Sequence, residues 1–194
     1  MSAPAYDPEQ RALLLELARE TLREVVERGR LPRVDADYLP PGLDEPRACF
    51  VTLTRRGALR GCIGNLEPRL PLYRAVMENA RAAATRDTRF PPVEPDEVPE
   101  LTIEISVLSP PRRLDADTPE ARLAALRPGR DGVILRAGRC TATYLPQVWE
   151  KLPEPRRFLD SLARKAGLPA GAWRDPATEL SVYTVESFAE EPAV

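Results

Sequence analysis

The three residues Arg55-Arg56-Gly57 leave room only for a tight reversal between two strand-like runs, Ala48 to Thr54 and Ala58 to Ile63. Neighbouring strands must therefore run antiparallel there, and a purely parallel sheet is excluded. A second short reversal, Ala137-Gly138, separates Gly132 to Arg136 from Arg139 to Leu145 and predicts another hairpin. Between them Leu101, Ile103, Ile105 and Val107 alternate with Thr102, Glu104 and Ser106, the pattern of a strand with one face sealed. Ser181 to Phe188 reads as one final strand.

Helical segments separate these strands. Asp7-Pro8-Glu9-Gln10 combines a capping carboxylate, a proline suited to the first helical position and a Gln that completes a capping box. Leu14, Leu17, Ala18, Leu22 and Val25 follow at helical spacing, with Gly29 as the stop. Pro71 opens a helix bearing Leu72, Val76, Ala80 and Ala83, and Thr118-Pro119-Glu120 opens a short one that ends at Pro128-Gly129. Pro155 to Ala166 forms a helix closed by Gly167. Residues 31 to 47 and 90 to 99 are Pro-rich and read as ordered loops. The order α-ββ-α-β-α-ββ-α-β predicts an α+β fold, a mixed or antiparallel sheet with helices packed on it. A length of 194 residues suits one domain, or one domain with two lobes.

The chain contains no histidine. That removes Ser-His-Asp and Cys-His catalysis, His-ligated zinc and the HExxH motif. There is no Walker loop or GxGxxG, and no metal or cofactor is indicated. Cys49, Cys62 and Cys140 are odd in number and lack metal-type spacing, so free thiols in a reducing cytoplasm are the simplest account. The N-terminus carries no signal-like basic or apolar stretch, and no apolar run approaches the ~20 residues that span a bilayer. A net charge of −2 gives no overall field for nucleic acid. Eight arginines stand against three acids between Arg55 and Phe90, which reads either as a solvated face or as an anion site.

The segment with most chemical content is Leu59-Arg60-Gly61-Cys62-Ile63-Gly64. Gly61 and Gly64 strip side chains from both sides of Cys62, allowing a sharp turn or a close backbone approach. Simple alternation places Arg60 and Cys62 on one face, where a guanidinium favours the nucleophilic thiolate. The same residues also fit a buried, inert thiol with glycines that serve only packing.

This LRGCIG run resembles the signature of the AMMECR family, and the resemblance extends along most of the chain. Asn79-Ala80-Arg81-Ala82-Ala83-Ala84 followed by Asp87-Thr88-Arg89-Phe90-Pro91-Pro92 is similar to a family stretch, with Thr88 where a proline is usual. Ile103 to Leu108 resembles the central strand. Leu145-Pro146-Gln147-Val148-Trp149, Phe158-Leu159 and Lys165-Ala166-Gly167-Leu168 resemble the C-terminal blocks of bacterial members. The resemblance implies a single AMMECR-type domain with a core over roughly residues 8 to 190. It also implies a larger lobe on an antiparallel sheet plus a smaller lobe, and Memo-like and radical-SAM proteins as partners.

Two functional expectations stand together. One is an accessory or interaction module that docks through the RGCIG surface. The other is a thiol-dependent enzyme or a small-anion binder using Cys62 and Arg60, with the backbone N–H groups of Gly61 and Gly64 holding the anion. Arg86, Asp87 and Arg89 form a charge cluster past a helix end, suited either to a carboxylate or phosphate or to a structural ion pair. Glu104, on the polar side of its strand, is expected to pair with Arg60 if that side is covered. Gln147 could bond a ligand or cap the following turn. Tyr144, Trp149 and Trp173 could line a pocket, although aromatics at this density are usually core.

Overall fold

The structure is a computed structural model that describes residues 6–191. It is α+β, with two four-stranded antiparallel sheets and helices packed on them. The chain divides into two compact units. One runs to Leu108 and takes up the chain again from Glu186; the other spans Ser109–Val185.

The first unit begins with α1 (Pro8–Arg28). Asp7 accepts from the Gln10 backbone N–H at 2.9 Å and Gln10 returns a bond to the Asp7 N–H at 2.9 Å, as the capping box predicts. Gly29 closes the helix at φ 68°, a left-handed conformation that costs a glycine little. Strands β1 (Ala48–Arg55) and β2 (Ala58–Gly64) form the expected hairpin. Its two-residue turn, Arg56-Gly57, has positive φ at both positions, so its twist matches that of the strands. β3 (Leu101–Leu108) pairs antiparallel with β1, and β8 (Val185–Ala189) completes the order β2-β1-β3-β8.

One face of this sheet carries Val51, Leu53, Ile103 and Ile105, each fully buried against α1 and α2 (Leu72–Thr85). Burying such a side chain is worth about 1.5–3 kcal/mol. The Pro-rich loop before β1 has a structural task at the start of α2. The carbonyls of Leu43 and Glu45 accept from the Tyr73 and Leu72 N–H groups at 3.1 and 2.9 Å, filling part of the open helix start. Arg19 of α1 clasps Glu190 through two guanidinium nitrogens and also reaches the carbonyls of Val98 and Leu101. Glu190 in turn accepts from the Ile103 N–H at 2.9 Å.

The second unit holds β4 (Arg112–Arg113), α3 (Pro119–Ala125), β5 (Gly132–Ala137), β6 (Cys140–Tyr144), α4 (Pro155–Lys165) and β7 (Glu179–Tyr183), with strand order β4-β7-β5-β6. Its core carries the aromatic residues. Trp149 stacks on Phe158 with centroids 3.7 Å apart, and Tyr144 meets the same ring edge-on at 5.3 Å. Each buried indole N–H is satisfied: Trp149 donates to the Asp131 carbonyl at 2.7 Å, and Trp173 to the Asp160 carboxylate at 2.6 Å.

The α+β expectation holds, with the antiparallel pairing divided between two sheets. One expectation needs correction: the run Ser181 to Phe188 is not one strand. It breaks at Thr184 into β7, which belongs to the second sheet, and β8, which belongs to the first. Thr184 exchanges hydrogen bonds with Ser109 instead of continuing a ladder, its N–H donating to Ser109 Oγ and its carbonyl accepting the Ser109 N–H, both at 2.9 Å.

Ile105 sits at the centre of the sealed face, so Ile105→Ala should lower the unfolding free energy by about 2–5 kcal/mol, read by urea denaturation.

Candidate functional site

The glycines flanking Cys62 are dictated by packing. A Cβ on Gly61 would lie 2.4 Å from the Ala83 carbonyl oxygen, near the end of α2. A Cβ on Gly64 would lie 2.2 Å from the Phe50 ring and 2.6 Å from the Cys49 carbonyl oxygen. Backbone cannot yield to either, so these two positions let α2 and β1 press directly on β2. Asn79, buried in α2, reinforces the contact by donating to the Cys49 carbonyl and to the Asn65 side chain, both at 3.0 Å.

Cys62 has its backbone clamped at the outer edge of β2. Its N–H donates to Asp87 Oδ2 at 2.8 Å, and its carbonyl accepts from Arg89 Nη2 at 3.2 Å. Asp87 and Arg89 therefore supply at Cys62 the two bonds that a further strand would have made there. Asp87 is buried and accepts from Arg89 Nε at 2.9 Å, from Arg89 Nη2 at 2.7 Å and from the Arg89 N–H at 3.2 Å. The Arg89 guanidinium, helped by the Cys62 N–H, holds the Asp87 carboxyl well below the usual carboxylate range. The Phe90 N–H donates to the Asp87 carbonyl at 3.1 Å, so the turn forms with Thr88 in place of the usual proline.

The Cys62 side chain shares a face with Thr52 and Glu104, which stand opposite one another across β2, β1 and β3. Thr52 Oγ1 donates to Cys62 Sγ at 3.2 Å, the thiol is half-buried, and Glu104 is exposed. This is the face turned away from the helices. Cys49 faces the core, where burial pushes its thiol up to about 12. Cys49, Cys62 and Cys140 are all free.

Arg60 is placed differently from the sequence expectation. Thr54 pairs with Leu59 and Leu53 with Gly61, so Arg60 is the extra residue of a bulge and the alternation between Arg60 and Cys62 is interrupted. Its partner is Glu97 and not Glu104. Two parallel bonds join them, Nε to Oε1 at 2.9 Å and Nη2 to Oε2 at 2.7 Å. The remaining donors reach the Pro91 and Pro92 carbonyls at 3.0 and 3.3 Å. Glu97 also accepts from Arg55 at 3.0 Å and from the Glu94 N–H at 2.9 Å. Arg60, with the Glu94 N–H and Arg55, holds the Glu97 carboxyl down at about 2.

The guanidinium beside the thiol is thus that of Arg89. Its own pKa is raised chiefly by Asp87, with the Cys62 thiol a smaller cause. Sequence reasoning missed Glu97, Thr52 and Asn79 as partners, and only the alternation of β1 hinted at Thr52. Arg86 caps the end of α2 through its backbone and is exposed. Gln147 is exposed on the turn Pro146–Glu150 of the second unit. Among the described residues no group of three His, Cys, Asp or Glu side chains is arranged to hold a metal, and no helix is long and apolar enough to cross a membrane.

The AMMECR1 family model matches residues 15–188, a stretch that includes the whole of this edge. The chain belongs to the AMMECR1 family. A protein of Thermococcus gammatolerans is 42% identical over 188 residues, covering 92% of this chain and 89% of that protein. One from Methanothermobacter thermautotrophicus is 38% identical over 190 residues, covering 97% and 98%. The crystal structure of the uncharacterized protein PH0010 from Pyrococcus horikoshii superposes with a TM-score of 0.81 at 37% identity, over 96% of this chain and 94% of that one. The family and the α+β fold that the resemblance implied are therefore both found in this chain.

Three outcomes test the site. Gly61→Ala should cost about 1–3 kcal/mol, because α2 must move off β2. Asp87→Ala should cost about 1.5–3 kcal/mol and speed hydrogen exchange at the Cys62 amide, read by NMR. Glu97→Gln should be less stable than the parent at pH 7. Because the Glu97 pKa is depressed on folding, that gap should shrink as pH falls from about 4.5 towards 2.

Proposed function

We propose that this AMMECR1-family chain is an accessory module that docks partner proteins through the face of β2 carrying Cys62, with Memo-like and radical-SAM proteins as the partners the family resemblance implies. The observation that carries this reading is the division of labour in the RGCIG segment. Its two glycines and its arginine are engaged inward, on α2, β1 and Glu97, while the Cys62 side chain stays half-exposed beside Thr52 and Glu104 on the face away from the helices. Rigid backbone beneath an accessible side chain favours recognition, because little ordering entropy remains to be lost on binding. The exposed carboxylate of Glu104 adds a negative charge that a basic partner surface would match.

A second reading is favoured by the Thr52 hydroxyl and the Arg89 guanidinium beside the sulfur. In this reading Cys62 would act as a nucleophile or hold a small anionic ligand. The two readings are compatible when the module presents its thiol to a partner's substrate.

Binding to purified Memo-like and radical-SAM proteins, measured by biolayer interferometry, separates them. Docking predicts that Glu104→Arg weakens binding about tenfold while Cys62→Ser leaves it nearly unchanged. If the parent chain binds neither protein, the docking reading fails. The thiol reading predicts that iodoacetamide modifies Cys62 at pH 7 faster than Cys140, by mass-spectrometric mapping, and that Arg89→Gln slows the reaction several-fold. Equal rates at both thiols would end it.

A further inference from the structure

A cavity of about 420 Å³ lies in the first unit between residues 31–34 and the outer side of α2, away from the Cys62 edge in sequence and in its lining. Its volume falls within the range of small-molecule sites, roughly 300–1,000 Å³. Part of the wall is apolar, made by Leu31, Val34, Met77 and the ring of Tyr73, and part is polar. Tyr73 and Met77 are buried, and Leu31 and Val34 are half-buried and packed against the main core. The wall is therefore part of a rigid framework rather than a loose surface dent.

The charges at the mouth are of one effective sign. Arg33, Arg74 and Glu78 line the cavity. Glu78 is already neutralised by Arg81, through bonds from Nε at 3.1 Å and from Nη2 at 2.5 Å. Arg33 and Arg74 are exposed, and among the described residues neither meets a carboxylate. Arg74 bonds a neutral group, its Nε donating to the Tyr73 hydroxyl at 3.3 Å. A recess with one apolar side and two exposed arginines in its lining suits one kind of occupant. An ionised head is received by the arginines, and a hydrocarbon body replaces water along Leu31, Val34 and Met77.

We propose that this cavity is a binding site for a small amphiphilic carboxylate, a single acid group on an unbranched or aromatic hydrocarbon body. The site makes no use of the thiol edge and stands whether or not the docking reading holds.

Decanoate, kept below its micelle concentration, is the probe, titrated into the ¹⁵N-labelled chain and followed by heteronuclear NMR. Saturable shifts are expected at the amides of Val34, Tyr73 and Met77. Arg33→Ala with Arg74→Ala should weaken decanoate about tenfold, since two charge-assisted contacts are lost, and decanol should bind the parent chain about tenfold less well than decanoate. Both arginines are exposed, so the double variant is expected to fold, and its unshifted spectrum checks this. Met77→Trp, which fills the recess, should abolish the shifts while leaving Arg33 and Arg74 in place. Three results would overturn the proposal: no saturable shifts, shifts centred on residues outside the cavity, or equal affinity for decanoate in the parent and the double arginine variant.

Discussion

The first sheet and α2 meet backbone to backbone at Gly61, where a methyl group would sit 2.4 Å from the Ala83 carbonyl oxygen. That approach sets the height of α2 above β2. From it follows the position of everything that leaves the end of α2. Asp87 arrives two residues after the helix ends and meets the Cys62 N–H; the Pro-rich stretch then runs back along the hairpin, where Arg60 takes its carbonyls and Glu97. Without the glycine the helix would stand off, and the carboxylate that seals the strand edge would lose its place. The LRGCIG segment is in this sense mostly a packing device, with one side chain left over for chemistry.

The electrostatics follow the same economy. Asp87 and Glu97 are the two buried acids of the region, and each is matched by a guanidinium making two parallel bonds. Such forks fix direction as well as charge. Each also takes a backbone N–H, so the carboxylates bond to chain segments that would otherwise present unpaired donors. The local excess of arginine between Arg55 and Phe90 is accounted for in part by these contacts, which places Arg55, Arg60 and Arg89 in structural roles.

Much of this was legible in the chain itself. The capping box at Asp7 and Gln10, the tight turn at Arg56-Gly57 and the alternation of Leu101 to Leu108 are local signals, and each formed where it was expected. What the chain concealed is non-local. Arg60 and Glu97 are 37 residues apart, and nothing near Glu97 except prolines marks it. The bulge that turns Arg60 out of step with Cys62 has no residue signature beyond the glycine that follows it. β4 is two residues long and carries no period. The break at Thr184 was invisible because β7 and β8 each obey the same two-residue rhythm, although they serve different sheets.

That break has a topological consequence. Between Leu108 and Glu186 the chain leaves one sheet, builds a second unit and returns, and the two crossing points, Ser109 and Thr184, are held side by side by a reciprocal pair of bonds. Ser109–Val185 is therefore a cassette with adjacent ends, spliced between two strands of a host sheet. The entropic cost of closing a loop rises only slowly with its length, by about 0.6 kcal/mol per doubling. The host architecture thus tolerates elaboration of the cassette without any change in the order of its own strands.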